Sequence, residues 1–100
     1  MRYFIEFSYN GTNYHGWQIQ PNAVTVQEVL NKNISLLLKE NINTTGAGRT
    51  DTGVHAQQMY AHFDSSGTFD LNLLVYKLNA LLPKDIAVHQ ILPVHPEAHA

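Results

Sequence analysis

The chain has 100 residues, of which 44% are hydrophobic and 14% charged, and this composition suits one folded domain and excludes a disordered chain. It contains no cysteine, which excludes disulfides and cysteine-ligated metals, and its net charge of −2 is atypical of a free-standing nucleic-acid-binding domain. No apolar stretch approaches the roughly 20 residues that span a bilayer, and no signal-peptide run is present. We therefore expect a cytoplasmic protein without a membrane segment.

The first half of the chain predicts a strand, a loop and a helix. Residues alternate between apolar and other types from Arg2 to Tyr9, which is typical of a strand. An irregular loop follows to about residue 24, and it carries the only tryptophan, Trp17, which we expect to anchor the loop against the core rather than to contact a ligand. Thr25 and Glu28 have capping-box spacing at the start of a helix that runs to about residue 40. Its apolar stripe is Val26, Val29, Leu30, Ile34, Leu37 and Leu38.

The second half predicts a strand, a helix and a further strand. Residues 54–63 are expected to form the strand, and Asp70 is expected to cap the helix, which Pro83 ends. The last strand begins at Ile86 and should be limited by Pro93. The buried stripe of the second helix is predicted to be Leu71, Leu74, Val75, Leu78, Leu81 and Leu82. With a short extra strand near residues 42–45, this order predicts an α+β, ferredoxin-like fold whose mostly antiparallel sheet has both helices packed on one face.

A polar loop with three glycines, residues 46–53, contains the residues best suited to chemistry. A plain turn with an exposed Arg49–Asp51 pair is the simplest interpretation. A phosphate-binding P-loop is excluded because no lysine follows the glycines. The sequence of residues 51–53 also matches the Asp-Thr-Gly of aspartic proteases. Those enzymes need aspartates with raised pKa values, however, and Arg49 would favour the ionised carboxylate instead.

The longer string around this loop, Gly46-Ala47-Gly48-Arg49-Thr50-Asp51-Thr52-Gly53-Val54-His55-Ala56, closely resembles the active-site signature of the tRNA pseudouridine synthase A family. Three other segments resemble that family in the same order along the chain. They are residues 7–18, with the Tyr-x-Gly and Tyr-x-Gly-Trp-Gln elements, residues 26–30, at the start of its first helix, and residues 78–86, with its Leu-Pro-x-Asp-Ile element.

The resemblance implies isomerisation of uridine to pseudouridine in the anticodon arm of tRNA, at positions thirty-eight to forty, without a cofactor or a metal. Asp51 would be the catalytic nucleophile, and the residues leave open whether it attacks the base or the ribose. The RNA-binding residues would be Gly48, Arg49, Thr50 and Gly53. Arg49 could keep Asp51 ionised, contact phosphate, or fill the gap left by an extruded base, although a purely structural salt bridge remains an alternative.

The resemblance also implies that residues 1–100 are the N-terminal catalytic-loop subdomain of a longer enzyme, inactive alone, which forms a homodimer around tRNA when full-length. The family's uracil-stacking tyrosine would lie beyond Ala100, so the tyrosines present here are expected to be core or loop residues. The basic residues that are scarce here would lie there too. The alternative from another class is a non-catalytic RNA-binding or dimerisation module that retains the loop. A metal site among the histidines is disfavoured, since no third ligand converges on any pair.

Overall fold

The computed structural model describes residues 1–48, 53 and 55–100, which form a four-stranded sheet and two helices. The elements in chain order are β1 (Arg2–Tyr9), a 3₁₀ turn (Gly11–Asn13), α1 (Val26–Leu38), β2 (Thr45–Gly46), β3 (Ala56–Asp64), α2 (Leu71–Leu81) and β4 (Ile86–Val94). No helix within these described ranges is long and apolar enough to cross a membrane.

The sheet has the strand order β2-β3-β1-β4, and all three pairings are antiparallel. Ile5, in the middle of β1, lies opposite Ala61 of β3 and Ile91 of β4. This order, with one helix between β1 and β2 and another between β3 and β4, is the ferredoxin-like arrangement that the sequence predicts. The connection from β2 to β3, residues 47–55, therefore emerges at the end of the sheet where β1 finishes and β4 begins.

The two faces of the sheet differ as the alternation in β1 predicts. The odd-numbered side chains of this strand, from Tyr3 to Tyr9, are buried and share one core with both helices. On the opposite face Glu6 accepts hydrogen bonds from Gln58 of β3 and Gln90 of β4, at 3.0 and 2.7 Å. Both helices therefore cover one face, and the other face is polar and uncovered at its centre.

The helix starts agree with the predicted capping residues. The Thr25 hydroxyl accepts from the backbone N–H of Glu28, and the Asp70 carboxylate accepts from Leu73 at 3.0 Å. The α1 stripe is buried or partly buried as predicted. The α2 stripe is predicted correctly except for Leu81, which is 46% exposed because it lies at the margin of the helix face that meets the core.

Three local predictions differ from the structure. The extra strand is only two residues long, Thr45–Gly46, and it begins at the last residue of the predicted range 42–45. β4 continues through Pro93 to Val94, because β4 is an edge strand and an edge strand tolerates a residue without an N–H. Tyr76, expected in the core or a loop, lies on α2 and is 74% exposed.

Candidate active-site loop

The loop of residues 47–55 that connects β2 to β3, called here the Asp51 loop, contains every predicted site residue. Gly48 and Gly53 are described, and both are exposed. Gly53 has a φ of 78°, a left-handed conformation that glycine adopts without strain. The predicted nucleophile Asp51 and the predicted RNA-binding residues Arg49 and Thr50 lie outside the described residues. The described part of the site consists of the two ends of this loop and their supports.

The first end of the loop follows Gly46, which is packed against Trp17. The indole is 1% exposed and stacks on Phe7 with ring centroids 5.2 Å apart, which confirms its predicted anchoring role. A Cβ added at Gly46 would overlap the indole nitrogen, and it would lie 2.7 Å from the indole Cε2. The next residue, Ala47, donates its backbone N–H to the Tyr60 carbonyl at 2.9 Å. Glycine at position 46 thus allows the chain to pass directly over the ring.

Polar side chains of α1 support the approach to this end. Gln27, which is 7% exposed, donates to the Thr44 carbonyl at 2.6 Å and accepts from the backbone N–H of Ile19 at 2.9 Å. Asn31 accepts from both the backbone N–H and the hydroxyl of Thr44. Buried polar groups with complete partners hold a segment in one arrangement, because any displacement leaves them unpaired.

The second end of the loop is fixed by the turn that follows β1. The Gly53 N–H donates to the Tyr14 carbonyl at 3.2 Å. The Gly11 N–H donates to Nδ1 of His55 at 2.9 Å, so this ring nitrogen is the unprotonated one. Both contacts join residues that are about 40 positions apart in sequence. The segment of residues 10–17 therefore supports both ends of the Asp51 loop.

Tyr14 is in turn tied to the connection between α2 and β4. Its hydroxyl donates to Asp85 Oδ1 at 2.6 Å, and Asn13 Nδ2 donates to Asp85 Oδ2 at 3.3 Å. Burial, reinforced by the hydrogen bond and the charge of Asp85, raises the pKa of Tyr14, so the phenol keeps its proton. The Asp85 carbonyl also accepts from the Asn10 N–H at 2.9 Å. Asp85 thus links the α2–β4 connection to the turn that holds Gly53.

An open cleft of about 450 Å³ lies beside the second end of the loop. Its walls include His55, Lys84 and Asp85, together with residues from the end of β1. Within the described residues the one ion pair is Arg2–Asp64 at 2.9 Å, so Lys84 forms no ion pair with a described carboxylate. The cleft thus has one basic and one acidic side chain, Lys84 and Asp85, in its lining next to the loop.

Sequence reasoning missed the supporting roles of Tyr14, His55, Asp85 and Gln27. Each of them lies within one of the four segments that resemble the family. Their position in these segments was the sequence feature that could have indicated a role at the site. The four segments converge on one end of the fold. The histidines show no comparable convergence, since no group of three metal-ligating side chains occurs among the residues with described positions.

The chain matches known proteins along almost its whole length. The family model described as tRNA pseudouridine synthase matches residues 6–99. The chain is 54% identical over 99 residues to tRNA pseudouridine synthase A of Bacteroides thetaiotaomicron, and 56% identical over 100 residues to that of Parabacteroides distasonis. It is 51% identical over 96 residues to tRNA pseudouridine synthase A of a Thermoanaerobacter species.

These matches cover 96–99% of this chain but only 37–40% of each relative. The chain thus spans about two fifths of the length of the curated relatives it matches. The matched residues include all four segments and the supports of the Asp51 loop. The chain therefore belongs to the tRNA pseudouridine synthase family.

Proposed function

We propose that this chain carries the catalytic loop of a tRNA pseudouridine synthase, which isomerises uridine in the anticodon arm at positions thirty-eight to forty, with Asp51 as nucleophile. The observation that carries the proposal is the support of the Asp51 loop at both of its ends. Trp17 packs against one end, and Tyr14 accepts a hydrogen bond from the other. A carboxylate that attacks one atom of a substrate must be held in a fixed position, and a loop anchored at both ends favours this.

The reaction breaks the bond between N1 of uracil and C1′ of ribose and forms a bond between C5 and C1′. The C5 proton is lost to solvent and N1 gains a proton, so the overall change is an isomerisation. A carboxylate nucleophile divides this change into two easier steps through a covalent intermediate on the base or on the ribose. No oxidant or reductant is required by this balance, and the proposal includes neither a cofactor nor a metal.

The RNA-binding part of the proposal rests on the loop glycines and on the positive charge of Arg49. Among the described residues, none has a heavy atom within 4 Å of a Cβ added at Gly48 or Gly53, and this openness supports a close approach of the RNA backbone. Arg49 is proposed to keep Asp51 ionised and to contact the RNA together with Thr50. A uridine in a stem must leave the stack before its ring can rotate, which costs a few kcal/mol, and a guanidinium can fill the gap.

The curated relatives are longer than this chain, which covers 37% of one of them. We propose that residues 1–100 form a subdomain that is inactive alone, and that the full-length enzyme is a cytoplasmic homodimer that binds tRNA. The net charge of −2 supports a further basic surface outside this subdomain, because phosphate contacts require lysine and arginine side chains.

The test is tritium release from tRNA labelled at uridine C5, measured with the complete gene product that contains these residues. The parent should release tritium, and Asp51→Ala and Asp51→Asn should release none above background. Asp70→Asn is the matched control, because Asp70 caps α2 at its far end and asparagine is an equally good N-cap. It should retain parental activity.

Two results would count against the proposal in different ways. A folded complete product that releases no tritium from several tRNAs would exclude the enzymatic function and favour a non-catalytic RNA-binding or dimerisation module. If the parent and Asp51→Asn released tritium equally, the synthase function would be supported, but Asp51 would be excluded as its nucleophile.

A further inference from the structure

The structure points to Tyr14 and Asp85 as a brace that positions the Asp51 loop for catalysis without touching the substrate. The inference rests on the proposed function, because it assigns two positioning residues to that reaction. The two residues are 71 positions apart in sequence and come from different connections, one after β1 and one before β4. Their hydrogen bond closes the end of the fold from which the loop emerges.

The brace acts through the backbone of Tyr14. The carbonyl of this residue accepts the Gly53 N–H, and Gly53 follows Asp51 by two residues in sequence. The Tyr14 side chain is 5% exposed, and its hydroxyl reaches Asp85 Oδ1 at 2.6 Å. Anchoring the side chain at its tip limits rotation and translation of the residue, and therefore limits movement of the carbonyl that holds Gly53.

Asp85 is itself held in place by further contacts. Its second carboxylate oxygen accepts from Asn13 at 3.3 Å, and its backbone carbonyl accepts from Asn10 at 2.9 Å. A hydrogen bond to a charged acceptor is shorter and stronger than a neutral one. The brace is therefore a firm link between the α2–β4 connection and the turn of residues 10–14, and not a contact between two mobile side chains.

A parallel contact strengthens this link. The Gly11 N–H donates to His55 Nδ1, so the same turn also holds the residue directly before β3. Loss of the Tyr14 hydroxyl should loosen the Tyr14 end of the turn and hence its contact with Gly53. A displacement of about 1 Å in a catalytic group can reduce turnover up to about a hundredfold. We expect a smaller effect, of about tenfold, because the His55 contact remains.

The kinetic test uses Tyr14→Phe, Asp85→Ala and the double variant in the complete gene product. Each single variant should lower kcat about tenfold and leave KM for tRNA within about twofold, since the lost interaction holds the loop and not the RNA. The double variant should lose no more turnover than Asp85→Ala alone, because that single variant already lacks both the Tyr14 and the Asn13 hydrogen bonds. Asp85→Asn should recover most of the turnover, because its amide oxygen still accepts from the tyrosine hydroxyl.

The matched control is Tyr3→Phe, which removes a hydroxyl from an equally buried tyrosine at the opposite end of β1. Tyr3 is 6% exposed and packs on Phe63 and Phe69, far from the loop. Its variant should keep the parental kcat. A purely structural effect of Tyr14→Phe would instead lower the folded fraction and leave kcat per folded molecule unchanged. Such a result, or a double variant with multiplied losses, would overturn the brace.

Hydrogen exchange supplies a measurement that does not depend on activity. The Gly53 amide should exchange about tenfold faster in Tyr14→Phe than in the parent or Tyr3→Phe, because its acceptor is less firmly held. Unchanged exchange would overturn the brace even if the parent were inactive. An active parent with inactive Asp51→Ala but normal Tyr14→Phe would overturn the brace alone, whereas an inactive folded parent would overturn the proposed function.

Discussion

Replacing Gly46 by alanine should destabilise the protein by wedging a methyl group against Trp17. The added Cβ would lie 2.7 Å from Cε2 of the indole and 3.1 Å from the terminal methyl of Met59. The ring cannot withdraw easily, because it is 1% exposed and stacked on Phe7. Overpacking of this kind costs about 1–3 kcal/mol, and the reduced entropy of the unfolded chain offsets only about 0.4–1 kcal/mol.

The net loss in free energy of unfolding should therefore be about 1–2 kcal/mol. A domain of this size loses roughly 4–8 °C in Tm for each kcal/mol. Urea unfolding followed by far-UV circular dichroism measures the change without relying on tryptophan fluorescence. Gly48→Ala is the matched control, since it makes the same exchange two residues later, where no atom of the described residues lies within 4 Å of the added Cβ. It should not lower the free energy of unfolding, because it shares the unfolded-chain gain of about 0.4–1 kcal/mol without the contact with Trp17.

A double-mutant cycle identifies Trp17 as the cause. Trp17→Phe leaves a smaller ring, so the methyl group of Gly46→Ala should be accommodated at a lower cost in that background. The reasoning would be refuted if Gly46→Ala were as stable as Gly48→Ala. It would also fail if the losses caused by Gly46→Ala and Trp17→Phe simply added.

Two further predictions concern polar groups. Gln27→Leu should cost about 1–3 kcal/mol by leaving the Thr44 carbonyl and the Ile19 N–H without their partner, whereas Gln18→Leu at an exposed position should not, and urea unfolding compares the two. Burial lowers the pKa of His62 below its ordinary 6.5, so the folded state resists protonation. Stability should be intact above pH 6.5 and fall as pH drops from there through the folded-state pKa. His62→Gln should flatten that part of the stability profile, and an unchanged slope would contradict the assignment.

The fold was largely predictable because its elements are specified by local interactions. Alternation in β1 and the capping spacing of Thr25 with Glu28 involve residues no more than four apart, and the structure confirms both. The order of the elements then left few arrangements that cover one face of a sheet with two helices. The two-residue length of β2 and the passage of β4 through Pro93 were not predictable, because both depend on neighbouring strands and edge position.

The candidate site was likewise predictable only in part. The sequence by itself determined which loop to consider, and it named Asp51 and the residues around it, whose roles stay predictions. Only the tertiary structure decided what supports that loop: Trp17 beneath Gly46, and Tyr14 between Gly53 and Asp85. The Tyr14–Asp85 bond joins residues 71 positions apart, and no local pattern encodes such a contact. It exists because the strand order brings the end of β1 beside the start of β4.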